Sequence, residues 1–436
     1  MRKPLLHAAL TLLAIVLPLV FAITAAPVFA WSNHAPGSAL ALSVMPELTD
    51  VQVEVEPLED FLRAQAPALV ARLAAQEEFA RLHFPQVPAA PESLHWTGDA
   101  PDLRSAFLQA LRLNPEIKLA TFVQAIPGAK DTAVLPPLGA SEVVIFSDLD
   151  AWQTWHFFSL VKGQTISALS VLASAADEPD YGHDIHLFSD NPSAVASLYN
   201  FGVQPFGDSR FEHSSQAPFH MGYFHESAII FSLGSFLKNT FADWRAYQFF
   251  SLAQFAFEAG HPYWGYRFMG WGLHYVQDLT QPYHATVLPG SSTADLLWIY
   301  AQDSLGFSQA KQMVIARNAD FHTYIETLQY QRLAELLVDQ QLEHPLVAAY
   351  RTNNNERDYP PFNPAYLRTV IAAEARTSAD QLDALIAFNL VQFPTIPQLV
   401  EQSPLELLLV QLTQRFGVHS RHAVRTVLTD SPKAED

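Results

Sequence analysis

Two histidines and a carboxylate stand close together in GWGLHYVQDLTQPYHA, residues 270–285. His274 and Asp278 are four residues apart on a helical pattern, so both side chains project from one face. Pro282 disfavours continuation of that helix and lets the chain bend, which returns His284 towards the same region. A second pair, His322 and Glu326 in FHTYIE, repeats the four-residue geometry. Imidazole nitrogens and carboxylate oxygens brought together in this way can ligate a divalent metal. The chain has no cysteine, so thiolate sites and cysteine nucleophiles are excluded and any metal must be held by His, carboxylates or backbone groups. The four-residue spacing alone is weak, since about two such pairs are expected by chance at this composition. Four are present, at His95, His186, His274 and His322, and the first two, without further partners, read as surface or loop pairs.

What sets the other pairs apart is the order of residues around them. Arg2 and Lys3 precede an apolar stretch from Leu5 to Pro27, and Val28-Phe29-Ala30 has the small-residue pattern of a signal-peptidase cut. Residues 1–30 therefore read as a signal peptide, cleaved before Trp31, which predicts a secreted or periplasmic protein with no transmembrane anchor after cleavage. His34 follows Trp31 closely, Ala176-Asp177 closes a short apolar helix, and His220 lies in the aromatic context FHMGYF.

On these residues, and above all on His-x3-Asp-x5-His at His274, Asp278 and His284, the sequence resembles the zinc-dependent phospholipases C and the related single-strand-specific zinc nucleases. The resemblance is strongest over 31–34 and 177–326. It implies a mainly α, multi-helix bundle around a trinuclear zinc site, with three Zn2+ ions per chain. Asp177, His220, His274 and Asp278 would hold one ion. His284, His322 and Glu326 would hold another. Trp31, through its new α-amino group and carbonyl, and His34 would hold the third, with Asp278 as a bridge. Asp177 is the implied catalytic group that steers or deprotonates water. Asp180 or Asp184 could stand in place of Asp177, and His213 or His225 in place of His220.

Phospholipase and nuclease share this metal chemistry, and three features favour lipid. Glu326 is the carboxylate typical of the phospholipase side of the resemblance. The net charge of −19, from 44 acidic and 25 basic residues, suits a polyanion poorly, so nucleic acid is disfavoured as a partner. Aromatic residues crowd Phe241 to Tyr275, among them Trp244, Tyr247, Trp264, Tyr266 and Trp271, and could form an apolar wall or a cage for a quaternary ammonium headgroup, although such residues at helical spacing more often fill a core. The expected function is a phospholipase C that acts on phospholipid, phosphatidylcholine first, at a membrane or micelle surface and releases diacylglycerol and the phosphorylated headgroup. The alternatives are a single-strand-specific nuclease, a broad phosphodiesterase and, from another class, a non-catalytic zinc-binding protein.

The elements that must position these groups read as helices. Apolar periodicity predicts a helix over 58–84 broken near Pro67, a short one over 166–177, and three between 226 and 278 split near Thr240 and at Gly260-His261-Pro262. Further helices are expected around 293–327, 330–350, 366–391 and 403–415, and only VVIF at 143–146 looks strand-like. Residues 31–436 form the expected catalytic domain, with 45–165 as an inserted subdomain and 327–436 as additional C-terminal helices. The basic cluster Arg415, His419, Arg421, His422 and Arg425 reads as a solvated helix end.

Overall fold

The computed structural model describes residues 34–129, 135–149, 152, 154–207, 212–353, 356–394 and 398–430. The expected signal peptide and Trp31 lie outside the described residues. Within them the chain is mainly helical with little strand. Helix α1 is His34–Leu42, α2 Pro46–Thr49, α3 Leu58–His83 and α4 Leu103–Ala110. The central part holds α5 (Ala168–Ala175), α6 (Ala217–His220), α7 (Ala228–Leu233), α8 (Ala242–Glu258), α9 (Pro262–Asp278) and α10 (Pro282–Ala285). The C-terminal part holds α11 (Thr293–Ser304), α12 (Gln309–Val338), α13 (Pro345–Arg351), α14 (Ala372–Arg376), α15 (Ala379–Gln392) and α16 (Pro404–Asp430).

The architecture is organised around α9. Every residue from Tyr263 to Asp278 is buried, as expected for a helix covered on all sides, and α8, α5 and α16 all pack against it. Two glycines make that packing close. A Cβ on Gly270 would sit 2.5 Å from Ala175 Cβ and 2.6 Å from Leu172 O, and one on Gly272 would meet the Phe250 ring at 2.6 Å. Glycine thus lets α5 and α8 approach the backbone of α9 just before His274. Helix α1 packs against α5, α13 and α16, which brings the N-terminal histidine to the end of α9.

The described residues between 45 and 165 pack against this centre, with helix α3 on α8 and the first strand on α9. Strand β1 (Gln52–Glu54) pairs antiparallel with β5 (Thr165–Ser167), and β2 (Phe122–Gln124), β4 (Phe157–Ser159) and β3 (Pro137–Leu138) form a second small sheet in the order β2-β4-β3. Leu58, Phe61, Leu62 and Leu69 belong to the same buried core as Trp264, Phe268 and Trp271. Trp264 Nε1 donates to Glu56 O at 3.1 Å, and Gln76 Nε2 to Gln248 O at 3.0 Å.

Several local expectations differ from the structure. Helix α3 runs through Pro67, which is exposed, so the carbonyl that loses its bond can turn to water. Val143, Val144 and Phe146 are buried but form no strand; they pack with Trp152, Phe157 and Tyr181, while strand pairing falls to segments whose short runs carry little periodic signal. Helix α12 spans the predicted break between 327 and 330, and α16 continues far past 415. The basic residues on α16 are therefore not a solvated end. Arg421 is fully buried and donates to Ala41 O at 2.9 Å and Tyr350 O at 2.6 Å, pinning α1 and α13 to α16.

Candidate metal centre

Five helices and one 3-10 turn deliver the polar cluster. The last turn of α9 presents His274 and Asp278. The chain then turns through Gln281, whose amide donates to Asp278 O at 2.9 Å, and α10 presents His284. His220 closes α6, and Gly222 N donates to His284 O at 2.8 Å while His284 Nδ1 donates to His220 O at 2.9 Å, so the two histidine-bearing turns lock each other. Helix α12 supplies His322 and Glu326, and α1 supplies His34.

Asp278 is the hub. Its Oδ2 lies 2.9 Å from His220 Nδ1 and 3.1 Å from His274 Nε2, and its Oδ1 lies 3.5 Å from both His34 Nε2 and His284 Nδ1. His274 Nε2 faces His220 Nδ1 at 2.9 Å. His322 Nε2 lies 2.7 Å from Glu326 Oε1 and 3.0 Å from His284 Nε2. Three groups have ligand atoms close enough to share an ion: His220, His274 and Asp278; His284, His322 and Glu326; and His34, Asp180 and His274. All of these side chains are buried.

Asp180, not Asp177, is the carboxylate that joins this cluster. It lies on the 3-10 turn Glu178–Tyr181, and its Oδ1 is 3.7 Å from both His220 Nδ1 and His274 Nε2. Asp177 stands just outside, where it accepts from Gln124 Nε2 at 2.7 Å and from the backbone amides of His34 and Ala35. Its physical role is to hold the start of α1 against the end of α5. Asp184 is engaged elsewhere: it accepts from Arg245 Nε at 2.9 Å and from Tyr275 OH at 2.6 Å, and it faces His220 Nε2 at 3.7 Å. Among the rivals of His220, His213 lines the neighbouring cleft and His225 bonds Arg368 O at 2.7 Å.

The donor set fits a metal on three grounds. First, His34 Nε2 and both oxygens of Asp278 are buried and, despite the short contacts above, make no well-aligned hydrogen bond among the described residues. Such orphaned groups are costly unless something else satisfies them. Second, the imidazoles are oriented from behind. Nδ1 of His274 donates to Ala176 O at 2.8 Å, and Nδ1 of His34 donates to Gln277 Oε1 at 2.8 Å. The Gln277 amide is fixed in turn because its Nε2 donates to Ser38 Oγ at 2.7 Å and Ser420 Oγ at 3.1 Å. With Nδ1 protonated, each Nε2 lone pair faces the carboxylates, as metal-ligating histidines require. Third, the ion pairs of Asp180 and Asp278 among the described residues are with histidines alone, whereas Asp184 and Glu178 have Arg245 and Arg267.

Electrostatics follow from the same crowding. Burial drives His274 down to about 3, with His34 and His220 adding to the effect against the pull of Asp278. Burial also pushes Asp180 well above the usual carboxylate range, and the nearby charges of Asp278, Asp177 and Glu326 push it further. Burial acts in the same direction on Asp278, but His274, His220 and His284 outweigh it and hold that carboxylate well below its ordinary value. Asp177 rises to about 6 through burial, moderated by His34 and Gln124. The two carboxylates are thus pushed in opposite directions, Asp180 up by burial and neighbouring acids and Asp278 down by the histidines around it.

A cleft of about 570 Å³ opens onto the cluster. Asp180, His220, His284 and His322 line one end. The remaining wall is largely apolar and comes from Met221, Tyr223, Ile230, Leu233, Leu237, Leu296, Ile299, Val314 and Ile315. Trp244, Trp264, Tyr266 and Trp271 do not line it: they are buried in the main core, the commoner place for aromatics at helical spacing, where α8 and α9 face each other and α3. No protein-family model, curated protein or solved structure matches the chain. No helix among the described residues is long and apolar enough to cross a membrane.

Proposed function

We propose that the protein is a zinc-dependent phosphodiester hydrolase of phospholipase C type, as the motif resemblance implies. The observation that carries this reading is the placement of Asp180, His220, His284 and His322 at one end of an otherwise apolar cleft. His220, His274 and Asp278, with Asp180 beside them, would hold one ion, and His284, His322 and Glu326 a second. His34 would hold a third, with Trp31 as its expected partner. Cations so held supply neutralisation of the phosphoryl oxygens and a lowered pKa for water at neutral pH.

The protein's own groups account for the rest. The backbone carbonyls of Ala176 and His220 and the Gln277 amide fix the imidazoles, so little reorganisation is needed when substrate arrives. Asp180 lines the cleft and takes over the role first assigned to Asp177: its carboxylate steers the attacking water and accepts its proton. Water oxygen bonds to phosphorus as the P–O bond on the glycerol side breaks. The glycerol oxygen leaves as diacylglycerol with the proton that Asp180 took from the water, and the phosphorylated headgroup keeps the water oxygen and departs separately.

The cleft favours lipid over a nucleic-acid strand. A strand needs a cationic groove with stacking platforms. Here the one lysine in the lining, Lys311, is paired with Asp303 at 2.9 Å. An apolar body next to the phosphate fits the lining better. Phosphatidylcholine vesicles and single-stranded oligonucleotide supplied together to the protein, with products identified by mass spectrometry, test the assignment. Diacylglycerol and phosphocholine without nucleotides are expected. Nucleoside 5′-phosphates without diacylglycerol would replace the reading by that of a nuclease.

A further inference from the structure

Helix α11 has two apolar sides. Leu296, Ile299 and Tyr300, with Asp303 one turn on, face the cleft and form part of its lining. The opposite side of a surface helix is ordinarily polar. On α11 that side carries Leu297, 41% exposed, and Trp298, 65% exposed, and no residue of the helix is buried. Leu305 and Phe307 continue the exposed strip at 76% and 69%, and Met313 on α12 extends it. On α7, which packs against α11, Ile229 is also exposed, as is Phe236 just beyond that helix. Trp298 is the most exposed tryptophan among the described residues.

The charge of this rim differs from that of the molecule. Segments 227–240 and 291–316 hold two lysines, Lys238 and Lys311, and two aspartates, Asp295 and Asp303, which sum to zero in a chain of net charge −19. Lys311 is paired with Asp303, and Lys238 lies over the Phe231 ring. An electroneutral apolar rim matches an uncharged or zwitterionic surface and gives an anionic one no electrostatic hold.

We infer that α11 and the segment after it, with the adjoining α7, form the docking surface by which the protein seats its cleft on a zwitterionic lipid surface. The inference rests on the lipid reading of the cleft and adds how the lipid is reached. Leu296, Ile299 and Tyr300 of the same helix and the exposed Phe236 line the cleft, so a lipid rising from a bilayer against this helix would pass from one apolar surface to another with little exposure of its chains to water. Aromatic and aliphatic side chains such as Trp298 and Phe307 suit the boundary between headgroups and acyl chains.

The test uses the full protein and a Trp298→Ser/Phe307→Ser variant, neither position being a ligand in the metal cluster. Flotation with phosphatidylcholine vesicles scores docking whether or not lipid is cleaved. The protein should float, equally at about 0.1 and about 1 M salt because no net charge is engaged. The variant should lose about tenfold in vesicle-bound fraction and in vesicle turnover. On a short-chain phosphatidylcholine kept monomeric, its turnover should stay within about twofold of the parent, since exposed substitutions perturb the fold little. Equal flotation of parent and variant, or steep loss with salt, would overturn the docking surface. So would a parent dimer that the variant converts to monomer without change in flotation. Flotation that depends on the two residues without cleavage of either lipid would keep the docking surface and remove the phospholipase reading.

Discussion

Asp278→Asn should reduce phosphodiester hydrolysis on the order of a thousandfold or more, the scale seen when one member of a set of groups acting as a unit is removed. The same change should lower bound metal by about one ion per chain, because no replacement ligand is preformed. The reason is geometric. Asp278 is fully buried and central, with His220 Nδ1 at 2.9 Å, His274 Nε2 at 3.1 Å, and His34 and His284 each at 3.5 Å. Asn keeps the shape but loses the charge and one acceptor oxygen, so the chain should fold while the cluster loses its shared anion. Asp99→Asn, at the other end of the exposed His95–Asp99 pair with the same spacing, should change neither quantity. Elemental analysis and turnover on phosphatidylcholine check both variants, and unchanged metal and turnover in Asp278→Asn would contradict the assignment.

Arg245→Ala should be the most destabilising single change near the centre, by about 3–5 kcal/mol, because it strands a buried carboxylate. Arg245 is fully buried and bridges Asp184, at 2.6 Å through Nη2, to Leu111 O and Arg112 O, each at 2.8 Å. Its loss leaves Asp184 beside His220 with, among the described residues, the Tyr275 hydroxyl as its remaining hydrogen-bond donor. Arg245→Lys should recover only part of the loss, since an ammonium cannot replace the planar fork that reaches a carboxylate and two carbonyls at once. Urea unfolding with metal held constant measures both. A loss below about 1 kcal/mol for the alanine variant would show that Asp184 does not depend on this cation.

The parts of the centre that local spacing encodes were legible without coordinates. His274, Asp278 and His284 sit together because a helix, a stop and a proline leave few other arrangements, and His322 with Glu326 repeats the helical pairing. The choice between Asp177 and Asp180 was not legible. The two lie three residues apart across the end of α5, and only the 3-10 turn at Glu178–Tyr181 decides which carboxylate faces inward. Gln277 was invisible as a support for His34 because the contact joins residues 243 apart in the chain. Aromatic density between Phe241 and Tyr275 marked a core, not a cleft wall, and the apolar lining came from residues 221–237 and 287–315. Those segments read as ordinary amphipathic helices until tertiary packing leaves their apolar side uncovered.

The stretch 45–165 also acquires a physical role that its sequence did not suggest. Strand β2 carries Gln124 to Asp177 at 2.7 Å, and Tyr181 donates to the same Gln124. Through that link residues 45–165 help hold the start of α1, and with it His34, against the cluster.

The most direct measurement is anomalous diffraction from crystals of the protein, recorded on both sides of the zinc absorption edge. Peaks that appear only above the edge are expected among His220, His274 and Asp278, and among His284, His322 and Glu326, with a further peak beside His34. The first peak should lie within ligand distance of Asp180 and not of Asp177. No edge-dependent density at these side chains in zinc-supplemented crystals would contradict the metal centre on which the proposed hydrolysis depends.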